Sequence, residues 1–98
     1  MRYYSTKNKS EFVSLREAVT RGLAPDNGLY MPEMIPGLPD SFFQSIRSLS
    51  FPEMAYRVVE PILGEDVPAD ELRRIVDHTI RFETPLVQVE PGVQALEL

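Results

Sequence analysis

The clearest pattern in the sequence is a run of apolar residues between positions 51 and 63 that repeats every three or four residues. This spacing places the apolar side chains on one face of a helix. Ser50 and Glu53 match a capping box at its start, and Pro61 lies inside it, where proline removes one backbone hydrogen bond. We therefore predict a helix that begins near Phe51 and kinks or ends before Gly64. The apolar face consists of Phe51, Met54, Ala55, Val58, Val59, Ile62 and Leu63.

A shorter helix is predicted over about Leu15 to Arg21. Ser14 and Glu17 match a second capping box, in which the hydroxyl and the carboxylate each bind a free backbone N–H. Gly22 stands where a left-handed residue ends many helices, and Leu23 is placed to pack back onto the last turn.

Two further helices follow from amphipathic spacing and from acidic residues at their starts. One begins near Pro39 and Asp40, and the other spans about 69–81. The first is expected to place a whole apolar face in the core, made of Phe42, Phe43, Ile46 and Leu49. The second carries a stripe of Leu72, Ile75, Val76, Thr79 and Ile80.

Strands are predicted near both ends of the chain. The aromatic and β-branched residues 2–6 predict a short strand that ends at the polar segment 7–10. Residues 86–89 and 93–98 flank Glu-Pro-Gly at 90–92, a pattern typical of a β-hairpin.

The segment from 24 to 39 contains four prolines and two glycines, which excludes a regular helix. Residues 25–28 have turn chemistry at every position. We expect them to present residues 29–31 as an apolar hook. The whole pattern predicts an α+β fold in one domain over residues 1–98: a small, mostly helical domain of about four helices, with a short N-terminal strand and a C-terminal β-hairpin.

Residues 95–98 lie partway through the second arm of the predicted hairpin, so its edge lacks a partner. We therefore expect the chain to be a piece of a larger protein. Because an exposed strand edge is a template for pairing, we also expect a tendency to self-associate.

Composition narrows the function classes. The 98 residues carry a net charge of −5, which disfavours nucleic-acid binding. No apolar run approaches the roughly 20 residues that cross a bilayer, so no membrane partner is expected. The absence of cysteine excludes disulfides and thiolate chemistry, and a cytoplasmic location is the default expectation.

Candidate catalytic residues are few. His78 is the only histidine and is interpreted as a partly exposed helical residue. The acidic pairs 65–66 and 70–71 flank helix ends, where carboxylates serve capping. Lys7 and Lys9 lie in a polar loop, which does not shelter a Schiff-base lysine. We therefore predict no catalytic, cofactor-binding or metal-binding residue in this chain.

Two segments resemble the start of bacterial and fungal threonine synthases. In that family a Tyr-containing strand is followed by a helix of the form Ser-x-x-x-Ala-x-x-x-Gly-Leu, matched here by Ser14, Ala18, Gly22 and Leu23. A loop of the form Asp-Gly-Gly-Leu-Tyr/Phe-x-Pro then follows, with Asn27 here in place of the first glycine. Weaker similarity continues through Phe51, Ala55, 62–64, 85–87 and 96–98.

The resemblance implies a parent enzyme of the tryptophan-synthase-β fold type that uses pyridoxal 5'-phosphate to convert O-phospho-L-homoserine and water to L-threonine and phosphate. The family's cofactor lysine follows a His-Gly-Pro-Thr motif, and neither motif occurs in this chain. The resemblance thus implies a non-catalytic N-terminal domain that packs on downstream catalytic domains.

Within that hypothesis, the docking loop is expected to consist of Asp26, Asn27, Gly28, Leu29 and Tyr30. Its alternative is that the same loop is a buried internal connection. The competing hypothesis for the whole chain is a free-standing, acidic helical module for protein–protein interaction.

Overall fold

The computed structural model describes residues 1–98 and confirms the predicted α+β fold with four α-helices. A single 3-10 turn, Ile46–Ser48, follows the second helix. In chain order the elements are β1 (Tyr3–Ser5), β2 (Asn8–Val13), α1 (Leu15–Arg21), β3 (Tyr30–Pro32), α2 (Asp40–Ser45), α3 (Phe51–Leu63), α4 (Ala69–Thr79), β4 (Leu86–Glu90) and β5 (Val93–Leu96).

The N-terminal strand is the centre of a three-stranded antiparallel sheet with the order β2-β1-β3. β1 ends before the polar segment, as predicted, but the expectation of a loop over residues 7–10 was wrong, because the chain turns at residues 6–7 and returns as β2 from Asn8. β2 is mostly polar and exposed, and it pairs with β1 through its backbone. Tyr3 and Ser5 of β1 are buried.

The prediction that residues 29–31 form an apolar hook was also wrong, because most of this segment is part of a strand. Tyr30–Pro32 form β3, which pairs with β1 so that Tyr30 lies opposite Ser5 and Pro32 opposite Tyr3. Proline is tolerated because β3 is an edge strand.

α1 begins as predicted, since the Ser14 hydroxyl accepts a hydrogen bond of 3.2 Å from the Glu17 amide. The Glu17 carboxylate pairs with Arg21 at 3.1 Å. Gly22 has φ 74° and ψ −56°, outside the left-handed helical region that the sequence suggested. Leu23 forms an isolated β-bridge with Leu29, where we had expected it to pack back onto α1.

α2 is shorter than its pattern suggested and passes into the 3-10 turn at Ile46. Phe42 is buried, whereas Phe43 is exposed and touches Phe42 edge-on at a centroid distance of 5.2 Å. The expectation that this whole face lies in the core was therefore wrong for Phe43.

α3 and α4 pack against each other and carry the main helical core. α3 runs through Pro61 and ends at Leu63, before Gly64 as expected. Leu72 and Val76 of α4 are buried. The Glu53 carboxylate joins the two helices, because it accepts hydrogen bonds from Arg73 at 2.7 Å and from Arg57 at 3.1 Å.

α4 ends at Thr79, two residues before the predicted end. Ile80 leaves helical geometry, and Phe82 then packs edge-to-face on Phe51 at 5.8 Å. The predicted C-terminal hairpin is confirmed as β4 and β5. None of the helices combines the length and the apolar character that a bilayer crossing requires.

We predict that Leu72→Ala lowers the free energy of unfolding by about 3 kcal/mol, because Leu72 is only 1% exposed and its truncation leaves a cavity. Ile75→Ala on the same helix is the matched control, since Ile75 is 47% exposed. Urea denaturation followed by circular dichroism measures both. Equal losses for the two variants would contradict this placement of the core.

Candidate functional site

The predicted docking loop, residues 26–30, lies at one end of the three-stranded sheet and is fixed to β1 by its backbone. The Thr6 amide donates to the Leu29 carbonyl at 2.9 Å, and the Leu29 amide donates to the Thr6 hydroxyl at 3.0 Å. The Ala24 amide donates to the Gly28 carbonyl at 3.0 Å, which closes the base of the turn. The loop is therefore held at both of its ends.

Asp26 ties the tip of the loop to the sheet. Its Oδ1 accepts hydrogen bonds from the Ser5 hydroxyl at 2.7 Å and from the Gly28 amide at 2.8 Å. The Ser5 hydrogen bond, followed by that of Gly28, lowers the pKa of the Asp26 carboxyl below its ordinary value. Asp26 is thus an internal tether in this loop.

The two residues after Asp26 explain the departure from the family loop pattern. Asn27 has φ 64°, in the left-handed region that asparagine tolerates better than most residues. Gly28 is buried, and a Cβ at this position would overlap the Ser5 hydroxyl oxygen and lie 2.9 Å from Asp26 Oδ1. Asparagine therefore preserves the turn at 27, while position 28 requires glycine on steric grounds.

Leu29 is the part of the loop that faces solvent. It is 59% exposed, and its bridge partner Leu23 is 53% exposed. The structure brings these two side chains together at the base of the turn, because bridge partners lie side by side. Sequence analysis missed Leu23 as a member of this site. The signal was present, since Leu23 and Leu29 flank the turn residues symmetrically.

A cleft of about 390 Å³ lies beside the loop, between α1 and the sheet. The Tyr30 hydroxyl is buried in this region and has no hydrogen-bond partner. The neighbouring Tyr30 hydroxyl, and to a smaller extent the Glu17 carboxylate, raise the pKa of the Arg21 guanidinium. The contact between Tyr30 and Arg21 does not meet the geometry of a hydrogen bond. The cleft therefore offers one unused polar group next to the loop.

The other candidates from the sequence lie apart from this site. His78 is an exposed residue of α4. Glu65 and Asp66 pair with the Met1 amine, and Glu71 pairs with Arg74. No group of three or more metal-ligating side chains of His, Cys, Asp or Glu type comes together in the chain.

The two lysines do not fit an aldehyde cofactor such as pyridoxal phosphate. Lys7 is exposed in the turn between β1 and β2, and Lys9 is exposed on β2 with its Nζ 5.6 Å from the Tyr4 ring centroid. Neither amine lies in a sheltered pocket that could hold a Schiff base. No step through that cofactor can be assigned to a residue of this chain.

Comparison with known proteins gives consistent matches. The family described as "Threonine synthase N terminus" matches residues 2–80. Threonine synthase from Schizosaccharomyces pombe is 39% identical over 102 residues, covering 98% of this chain and 20% of that protein. Threonine synthase from Methylobacillus glycogenes is 35% identical over 98 residues, which cover 100% of this chain and 20% of that protein.

The fold of this chain is also similar to the N-terminal part of solved threonine synthase structures. The crystal structure of threonine synthase from Escherichia coli has a TM-score of 0.85 at 29% identity, covering 99% of this chain and 23% of that one. The PLP-bound threonine synthase from Brucella melitensis has a TM-score of 0.81 at 32% identity, and the match covers 99% of this chain and 22% of that one. The chain thus spans about a fifth of the length of the curated relatives it matches.

The lowered pKa of Asp26 predicts a pH-dependent contribution to stability. Because the pKa is lower in the folded state, the contribution is complete above the ordinary aspartate value of about 4 and is lost as the pH falls below it. We expect Asp26→Asn and Ser5→Ala each to lose less stability than the unmodified chain between about pH 5 and pH 2. Melting temperatures of the unmodified chain and of the two variants, measured across this pH range, test the prediction. Parallel pH profiles for all three proteins would show that the Asp26–Ser5 hydrogen bond does not contribute to stability.

Proposed function

Since the chain belongs to the family of threonine synthase N-terminal domains, we propose that it is the N-terminal domain of a threonine synthase and has no catalytic activity of its own. The reaction of the parent enzyme is the conversion of O-phospho-L-homoserine and water to L-threonine and phosphate with pyridoxal phosphate. A cytoplasmic location is part of the same proposal, and the cysteine-free composition agrees with it.

One observation carries this proposal: the family match covers residues 2–80, whereas the chain amounts to about a fifth of each related enzyme. The chemistry of the residues agrees with a non-catalytic role. The two lysines are exposed, and the carboxylates of the docking loop and of the α3–α4 contact are engaged in hydrogen bonds within the chain.

We further propose that the docking loop contacts the rest of the parent enzyme. Three features support this role. The loop is fixed at Leu29 by Thr6 and at Asp26 by Ser5, so it loses little conformational freedom on binding. It presents the exposed pair Leu23 and Leu29, and the adjacent cleft holds the unpaired Tyr30 hydroxyl, which a group of the partner could satisfy.

The activity is tested with the full-length protein that contains this segment. We expect it to release phosphate from O-phospho-L-homoserine and to form L-threonine, and we expect residues 1–98 alone to do neither. Phosphate release and amino-acid analysis measure the two products. Failure of the full-length, cofactor-loaded protein to form threonine would refute the proposed function.

The docking role is tested by Leu29→Lys in the same full-length protein. Burial of a leucine contributes about 2 kcal/mol, so a lysine at a covered position should destabilise the protein by at least that amount. Ile35→Lys is the control, because Ile35 is also apolar and exposed, at 72%, but lies outside the loop. Differential scanning calorimetry compares them, and an unchanged melting temperature for Leu29→Lys would show that the loop is not covered.

A further inference from the structure

The docking loop contains Asn27 followed by Gly28, the one asparagine–glycine pair in the chain. The family loop pattern has glycine at position 27, so the side-chain amide here is a feature of this sequence. Asn27 is exposed, and its φ of 64° lies in the left-handed region. Glycine lacks a Cβ, so it obstructs attack by its own amide nitrogen less than any other residue. The pair therefore combines an accessible carboxamide with an unhindered nucleophile.

Such a pair can lose the side-chain amide without an enzyme. The Gly28 nitrogen forms a bond to Asn27 Cγ, the Cγ–Nδ2 bond breaks, and the proton of the Gly28 amide leaves with Nδ2 as ammonia. Water then opens the resulting cyclic imide at either of its two carbonyls. The product is aspartate, or isoaspartate, in which the main chain runs through Cβ and is longer by one atom.

Hydrogen bonds in the loop oppose the first step of this reaction. The Gly28 amide donates to Asp26 Oδ1 at 2.8 Å, and the Ser5 hydroxyl donates to the same oxygen at 2.7 Å. Removal of the Gly28 proton would break one of these bonds and place an amide anion beside a carboxylate, and a neighbouring like charge disfavours deprotonation. The pKa of the Asp26 carboxyl is lowered by the same hydrogen bonds, which makes it a weak base for that proton.

The peptide plane between Asn27 and Gly28 is fixed as well. The Asn27 amide donates to the Ala24 carbonyl at 2.8 Å, and the Gly28 carbonyl accepts from the Ala24 amide at 3.0 Å. Gly28 is buried and packs so closely on the Ser5 hydroxyl that a Cβ would not fit. Ring closure requires this plane to rotate until the Gly28 nitrogen reaches Cγ, so it requires the loop to open.

We propose that Asn27 is a site of spontaneous deamidation, which the hydrogen bonds of Asp26 to Ser5 and Gly28 suppress while the docking loop is closed. Because isoaspartate lengthens the main chain, a loop that has reacted cannot restore the pairing between Ala24 and Gly28. A transient opening thus becomes a permanent change in the docking loop. Both the asparagine and its tether lie within this chain, so the modification is independent of the activity of the parent enzyme.

The first experiment compares the folded and unfolded states of the full-length protein that contains this segment. Samples are kept at neutral pH with and without urea, and peptide mapping by mass spectrometry follows deamidation with time. Asn8 is the internal reference, because lysine follows it in the chain. We expect Asn27 to react faster than Asn8 in urea, and about 10-fold more slowly in the folded protein than in urea. Equal rates at Asn27 in the two states, or no advantage over Asn8 in urea, would overturn the proposal.

The second experiment separates the tether from other sources of protection. Ser5→Ala removes a hydrogen bond to Asp26, and we expect Asn27 to deamidate about 10-fold faster in the folded variant. Leu72→Ala is the matched control, because it destabilises the helical core away from the loop, and we expect a smaller change.

Three results of the second experiment would overturn the proposal. Equal acceleration by Leu72→Ala would assign the reaction to general unfolding. An unchanged rate in Ser5→Ala would assign the protection to cover by the rest of the protein, and a slower rate would show that Asp26 promotes the reaction as a base. If Ser5→Ala does not fold, the comparison of the folded and unfolded states decides.

Discussion

The N-terminal half of the structure depends on the Ser5 hydroxyl. It donates to Asp26 and accepts from the Lys7 amide, so one buried side chain holds both the turn between β1 and β2 and the loop before β3. Gly28 packs directly against it. A buried polar group that is fully hydrogen-bonded specifies its surroundings, because any rearrangement leaves a donor or an acceptor unsatisfied. The conformation of the docking loop is therefore set by the sheet beneath it.

The helical half is held by a different combination. Leu72 and Val76 supply buried apolar surface, while Glu53 on α3 binds Arg73 on α4. The Arg73 guanidinium also lies 3.9 Å above the Tyr56 ring centroid. These charged groups are partly exposed, so they contribute little net energy and mainly fix the relative position of the two helices. Tyr3 connects the halves, since its hydroxyl donates to the Ile62 carbonyl at 3.4 Å.

Sequence reasoning predicted the elements whose residues carry a recognisable pattern and missed the two strands, β2 and β3, that lack one. α3 was predicted with its bounds because its apolar face recurs at helical spacing. β2 lacks the alternation of apolar and polar residues that indicates a strand, and β3 contains a proline. Neither strand was therefore predicted. The docking loop was predicted as a turn, but its division into an internal tether at Asp26 and an exposed apolar pair at Leu23 and Leu29 arises from contacts with β1, which local sequence does not encode.

The same distinction applies to the C-terminal hairpin, which was predicted as an element although nothing within the chain covers its strands. Its turn and strand residues specify a hairpin locally, whereas membership of a domain depends on what covers its faces. The helices bury part of their apolar stripe within residues 1–80, whereas every residue of β4 and β5 is exposed. Since Phe82 fixes the connecting segment to Phe51, the hairpin leaves the helical domain from a defined point. An aromatic contact thus fixes the place at which the segment before the hairpin meets the helices.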